Sequence, residues 1–206
     1  MTRTAIDELS LADKTLARLI AQVGPCTLKP RKARSPFRAL VESVTYQQLN
    51  GTAAATILGR VKALYPGKHF PEPADVLATP DEHLRRAGLS GAKTAAIKDI
   101  AARTVAGVVP ASREIRRLSD AEILQRLTTI RGVGPWTVEM LLIFMLGRTD
   151  VLPATDYGVR KGFALTYRWS DLPTPKQLLE YGERWRPHRT TAAWYLWRSI
   201  ELKAAE

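Results

Sequence analysis

Apolar residues recur at three- and four-residue steps from Leu9 to Val23, Phe37 to Leu64, Thr94 to Val105 and Ile123 to Leu127. No segment shows the alternation of a half-buried strand. The run from Val138 to Leu146 is apolar nearly all round and is expected to be the central buried helix. Proline and glycine punctuate the pattern at Tyr65-Pro66-Gly67, Pro71 and Pro73, Pro110, Pro153, and Pro173 with Pro175. Short helices between such breaks predict an all-α fold. The chain has 206 residues, enough for one domain or for two small lobes sharing a cleft. Its first thirty-odd residues are too few to fold alone. We expect them to pack on the C-terminal helices, giving one lobe over 36-148 and a discontinuous one from 1-35 and 149-206.

Charge narrows the partner. Lys and Arg total 31 against 20 Asp and Glu, a formal net charge of +11, which favours a polyanion, nucleic acid before acidic membrane. The single Cys26 cannot build a disulfide framework or a four-cysteine iron–sulfur cluster within the chain. His69, His83 and His188 lack the spacing of a metal site. No apolar run approaches the roughly 20 residues of a membrane span, and the N-terminus lacks a secretory signal pattern. An intracellular, soluble protein is expected.

The segment Thr129-Ile130-Arg131-Gly132-Val133-Gly134-Pro135-Trp136-Thr137 has the chemistry of a tight turn between two helices. Two glycines allow close backbone approach, and Pro135 suits the first helical position, where its missing N–H costs nothing. Backbone N–H groups of Gly132, Gly134 and Thr137 would then face outward as an anion site fit for a DNA phosphate. A plain helix–helix turn has the same composition. Gly88-Leu89-Ser90-Gly91 offers a second site, with Ser90 capping a helix and Lys93 neutralising a phosphate.

The same stretch resembles the helix–hairpin–helix of the DNA glycosylase superfamily that carries a Gly/Pro-rich loop and a following aspartate. The loop is Leu152-Pro153-Ala154-Thr155-Asp156-Tyr157, and the offset from Trp136 to Asp156 fits the family's spacing. The likeness extends to Val44–Gly51, Gly88–Lys93 and Arg184–Trp197, and is greatest for the 3-methyladenine glycosylase II branch. It implies a two-lobed helical fold with the active site between the lobes and no N-terminal β-domain.

It also implies roles. Bifunctional members carry a lysine where this chain has Trp136, so a monofunctional enzyme without lyase activity is expected. Asp156 becomes the candidate catalytic carboxylate, stabilising positive charge that develops on the deoxyribose; taken alone it reads first as a helix-capping acid. Trp136 and Trp197 fall where pocket aromatics stand, suited to a cationic alkylated base. Met140 follows one turn after Trp136 and fits the pocket or the core. Trp185 and Trp194 read as core. Gln48, in Tyr46-Gln47-Gln48-Leu49, read as the start of a helix, maps to the wedge that fills the gap left by a flipped base. Main-chain carbonyls of Thr128, Ile130 and Val133 map to a monovalent cation site. No other cofactor is expected.

The resulting expectation is a monomeric hydrolase that excises 3-methyladenine or 7-methylguanine type lesions from double-stranded DNA. It would be cytoplasmic, associated with the nucleoid in a bacterium and nuclear in a eukaryote. Two alternatives stand beside it: a glycosylase for deaminated or mismatched bases, and a catalytically silent DNA-binding module.

Overall fold

The computed structural model describes residues 3–30 and 35–204, and among them every regular element is helical. In chain order these are α1 (Arg3–Ala12), α2 (Lys14–Val23), α3 (Pro36–Tyr46), α4 (Gly51–Ala63), α5 (Pro73–Ala78), α6 (Asp81–Arg86), α7 (Gly91–Val105), α8 (Ser112–Ile115), α9 (Asp120–Leu127), α10 (Pro135–Leu141), α11 (Tyr157–Tyr167), α12 (Pro175–Gly182) and α13 (Arg189–Ala204). None is long and apolar enough to cross a membrane. Local chemistry sets most boundaries. Ser35, Asn50, Ser90, Ser119, Asp156 and Thr174 each cap a helix with a side-chain oxygen. Pro36, Pro73, Pro135 and Pro175 stand in the first turn of theirs.

The apolar period from Phe37 to Leu64 is interrupted: α3 stops at Tyr46, and Gln47–Asn50 form a turn before α4. Gln48 therefore does not begin a helix. Its backbone is left-handed, with φ +56°, a conformation that no helical period reveals. The run after Val138 is buried as expected but is not one α-helix. It widens into a π turn over Leu142–Leu146, which leaves Phe144 37% exposed.

The chain divides into two compact units. One comprises the described residues up to Pro30 and those from Gly147 onward. Leu9, Leu16, Leu19 and Ile20 of α1 and α2 join Val159, Phe163, Trp185, Tyr195 and Leu196 in its core. Asp13, only 5% exposed, caps α2 and also accepts hydrogen bonds from the Tyr167 hydroxyl (2.6 Å) and Trp185 Nε1 (3.0 Å). Trp185 and Trp194 are core residues, and Trp169 lies edge-on to Phe163 with ring centres 5.3 Å apart.

Helices α11 and α13 are in unusually close contact. A Cβ at Gly162 would stand 1.9 Å from the Leu196 carbonyl oxygen, so no side chain fits there. Gly162→Ala should destabilise the protein by about 3 kcal/mol, read from its urea unfolding midpoint, because backbone rather than a flexible side chain would have to move.

The second unit takes the residues between, to Leu146. Helices α3, α5 and α10 pack around α7 or one another. Leu40, Val44, Ile97, Ile100, Val138 and Ile143 are fully buried here.

Candidate active site

Within the discontinuous unit, Asp156 is the N-cap of α11. Its Oδ1 accepts the Val159 backbone N–H at 2.8 Å and the Trp197 indole N–H at 2.8 Å. The carboxylate is thus fixed by the start of one helix and by a side chain of α13. Gly158 makes the second contact possible. A Cβ at that position would lie 2.9 Å from Trp197 Cδ1 and 3.0 Å from Asp156 Oδ1. The loop ahead of Asp156 is equally constrained, since Leu152 and Ala154 are buried and the Asp156 N–H reaches the Pro153 carbonyl. Further back, Thr190 at the start of α13 accepts the Val151 N–H and donates to the Arg148 carbonyl. The Arg189 guanidinium grips Asp150 at 2.7 Å. One helix therefore holds both the loop and the tryptophan that touch the acid.

In the other unit, α9, a turn over residues 128–134 and α10 form the helical hairpin. Gly132 has φ +73°, and a Cβ there would meet Ala96 Cβ at 2.7 Å, so glycine is required both for the backbone angle and for packing on α7. Gly134 has a φ of −93°, open to any residue, and a Cβ there would find open space, which leaves room for a close approach from outside. Among the described residues, neither glycine N–H has an acceptor. Asp99 of α7 accepts the Arg131 N–H at 2.8 Å and pins the turn from outside.

Two residues expected on phosphate point elsewhere. Thr137 is 1% exposed; its N–H bonds the Gly134 carbonyl and its Oγ1 accepts from Gln47 Nε2 at 2.9 Å. Lys93 turns its ammonium onto the carbonyls of Thr45 (2.8 Å) and Gln47 (2.7 Å), where the end of α3 offers carbonyls left over by the helix. Burial pulls the Lys93 pKa below the ordinary lysine value. Ser90 caps α7 through the Lys93 backbone N–H.

Trp136 is half-buried in the first turn of α10, and Met140, one turn on, is buried among core residues. Thr128 ends α9, Val133 is buried, and the Ile130 carbonyl already accepts the Val133 N–H. Gln48 and Leu49 are exposed at the tip of the α3–α4 turn. Three contributors went unread in the sequence: Gln47, Asp99 and Gly158. Only Gly158 carried a signal, as the first of two glycines one helical turn apart on α11.

A helical hairpin with a glycine-led turn, followed by a capping aspartate held by tryptophan, defines a class of DNA repair fold. The chain belongs to the HhH-GPD superfamily of base excision DNA repair proteins, whose family model matches residues 41–187. Among curated relatives, it is 39% identical over 197 residues to DNA-3-methyladenine glycosylase 1 of Schizosaccharomyces pombe, covering 94% of this chain and 86% of that one. An alkylbase DNA glycosidase-like protein of the same organism is 32% identical, with 97% and 94% covered. Among solved structures, the S. pombe 3-methyladenine DNA glycosylase in complex with abasic DNA superposes with a TM-score of 0.91 at 38% identity, covering 96% of this chain and 97% of that one. A DNA-3-methyladenine glycosidase from Bacillus halodurans gives 0.83 at 32%, with 98% and 91% covered.

Proposed function

We propose that this chain is a monofunctional DNA glycosylase that hydrolyses the N-glycosidic bond of alkylated bases, of the 3-methyladenine and 7-methylguanine type, in duplex DNA. The observation that carries the reading is the Asp156 carboxylate, held at 2.8 Å by both the Val159 N–H and the Trp197 indole, in a chain so similar to 3-methyladenine glycosylases.

The chemistry follows from charge. As the C1′–N bond breaks, its electron pair leaves with the base and the deoxyribose becomes oxocarbenium-like. A carboxylate already fixed in place stabilises that cation without reorganising. Water then adds at C1′ and gives up its proton, which Asp156 is suited to accept. A base that carries a positive charge from alkylation leaves as a neutral molecule, so no strong general acid is needed. The indole face of Trp136 and that of Trp197 are each of a kind that suits such a cation, and Met140 follows Trp136 by one helical turn on α10.

The hairpin supplies the grip on DNA through the outward N–H groups of Gly132 and Gly134, with Thr137 supporting the turn from inside and Ser90 ordering α7 beside it. Carbonyls of Thr128, Ile130 and Val133 are neutral oxygen donors of the kind a monovalent cation accepts, and the Ile130 oxygen keeps a second lone pair after its bond to Val133. Gln48 is the wedge in this reading, supported by its exposure at a turn tip and its left-handed backbone.

Two experiments test this reading. On duplexes of one sequence carrying single defined lesions, alkylated purines should be released and uracil or mismatched bases left in place; the reverse preference would redirect the assignment. Trp136 has no amine to attack the sugar, so borohydride should not trap the protein covalently on alkylated duplex. Efficient trapping would contradict a hydrolytic mechanism.

A further inference from the structure

The α3–α4 turn is held in a way that a surface turn does not need. Lys93, from α7, donates to the Thr45 and Gln47 carbonyls on one side of it. On the other, the Gln47 amide donates to the Gly132 carbonyl at 3.0 Å and to Thr137 Oγ1 at 2.9 Å, both in the hairpin. Between these anchors Gln48 takes φ +56°, which a non-glycine residue adopts at a cost, and its side chain is exposed. Asn50 then caps α4 through the Ala53 N–H, closing the turn. Simple helix capping at α3 explains a lysine on Thr45. It does not explain why the next carbonyl, outside the helix, is also gripped, or why the neighbouring glutamine reaches across to the phosphate-binding turn.

We infer that Lys93 and Gln47 are positioning residues that brace the Gln48 turn against the hairpin, so that the element entering the base stack and the element gripping phosphate act as one rigid piece. The inference rests on the reading of Gln48 as the wedge. Its consequence is specific to base flipping. Phosphates held by the hairpin give the wedge a fixed register on the duplex, and the brace resists the force of the stack closing back on the gap. A wobbling Gln48 would slow extrusion of a paired base and matter little where the stack is already open, since extrusion is cheapest there.

The test compares single-turnover release of one alkylated base from two substrates, fully paired in a duplex and in an unpaired bulge. Lys93→Met should lower the rate on the paired lesion about tenfold and leave the bulged lesion near wild type. Lys93→Arg, which keeps charged donors, should recover most of the loss. The brightening of 2-aminopurine placed beside the lesion should fall with the paired rate. Gln47→Leu breaks the hairpin tie without touching the lysine and should show the same split; it serves if Lys93→Met does not fold. Equal losses on both substrates, or no loss on the paired one, would overturn the brace. Gln48→Ala separates the two layers: a loss confined to the paired lesion upholds the wedge, whereas unchanged rates on both substrates remove the wedge and the brace with it.

Discussion

Asp156→Asn should reduce base release by about a thousandfold, the scale on which removal of a preorganised transition-state contact acts. The substitution is unusually clean at this position. Asparagine is as good an N-cap as aspartate, and its carbonyl oxygen can take over both hydrogen bonds now received by Oδ1, from Val159 and from Trp197. Helix α11 should therefore keep its start, the unfolding midpoint should stay within experimental error, and only the negative charge is lost. Affinity for duplex DNA should hold or rise slightly, because one repulsive charge is gone. Single-turnover release and duplex binding, measured on the same preparation, check this. Unchanged release with intact binding would move the chemistry away from Asp156.

The largest effect on stability is expected at Asp13. Its carboxylate accepts four hydrogen bonds: the Thr15 and Leu16 N–H groups at 3.0 Å each, the Tyr167 hydroxyl at 2.6 Å and Trp185 Nε1 at 3.0 Å. Asp13→Ala removes a helix cap and takes the carboxylate acceptor away from the Tyr167 phenol and the Trp185 indole beside the core, for a combined cost of about 4 kcal/mol. The same residue gives stability a pH dependence. Burial acts to raise its pKa, but the hydrogen bonds from Tyr167, the Leu16 N–H, Trp185 and the Thr15 N–H together outweigh burial and hold it below the ordinary carboxylate value. A group whose folded pKa is depressed contributes stability above its unfolded pKa and loses it as pH falls through the folded one. Urea midpoints should thus drop as pH falls below about 4, and Asp13→Asn should flatten that part of the curve.

Much of this was legible in the chain. Apolar period and Pro/Gly breaks predicted an all-helical fold because helix ends here are set locally, by serine, asparagine, aspartate and proline at the caps. The hairpin and the position of Asp156 were legible for the same reason: a turn that needs Gly132 and a loop that ends in a capping acid leave residue-type signatures. What escaped was set by tertiary contacts. Gln48 reads as helical because a left-handed backbone leaves no mark on an apolar period, and the groups that hold its turn, Lys93, Gly132 and Thr137, lie far away in sequence. Lys93 reads as a surface cation because nothing nearby in sequence announces the carbonyls it meets. Thr137 reads as an outward N–H donor at a helix start, yet its N–H is taken by the Gly134 carbonyl and its buried hydroxyl accepts from a glutamine ninety residues earlier. The hydrogen bond from Trp197 to Asp156 depends on Gly158, whose lack of a side chain matters only once α13 lies against α11.

On the proposed function, this chain cuts the bond between an alkylated base and its sugar and leaves the strand whole. The direct measurement is to incubate the purified protein with methylated duplex DNA and analyse both the free bases and the strands. Released 3-methyladenine and 7-methylguanine, with strands that stay whole until treated with alkali, are the predicted result. DNA that is bound but yields no free base would make the chain a silent binding module, and strands broken without alkali would make it a lyase; either contradicts the account.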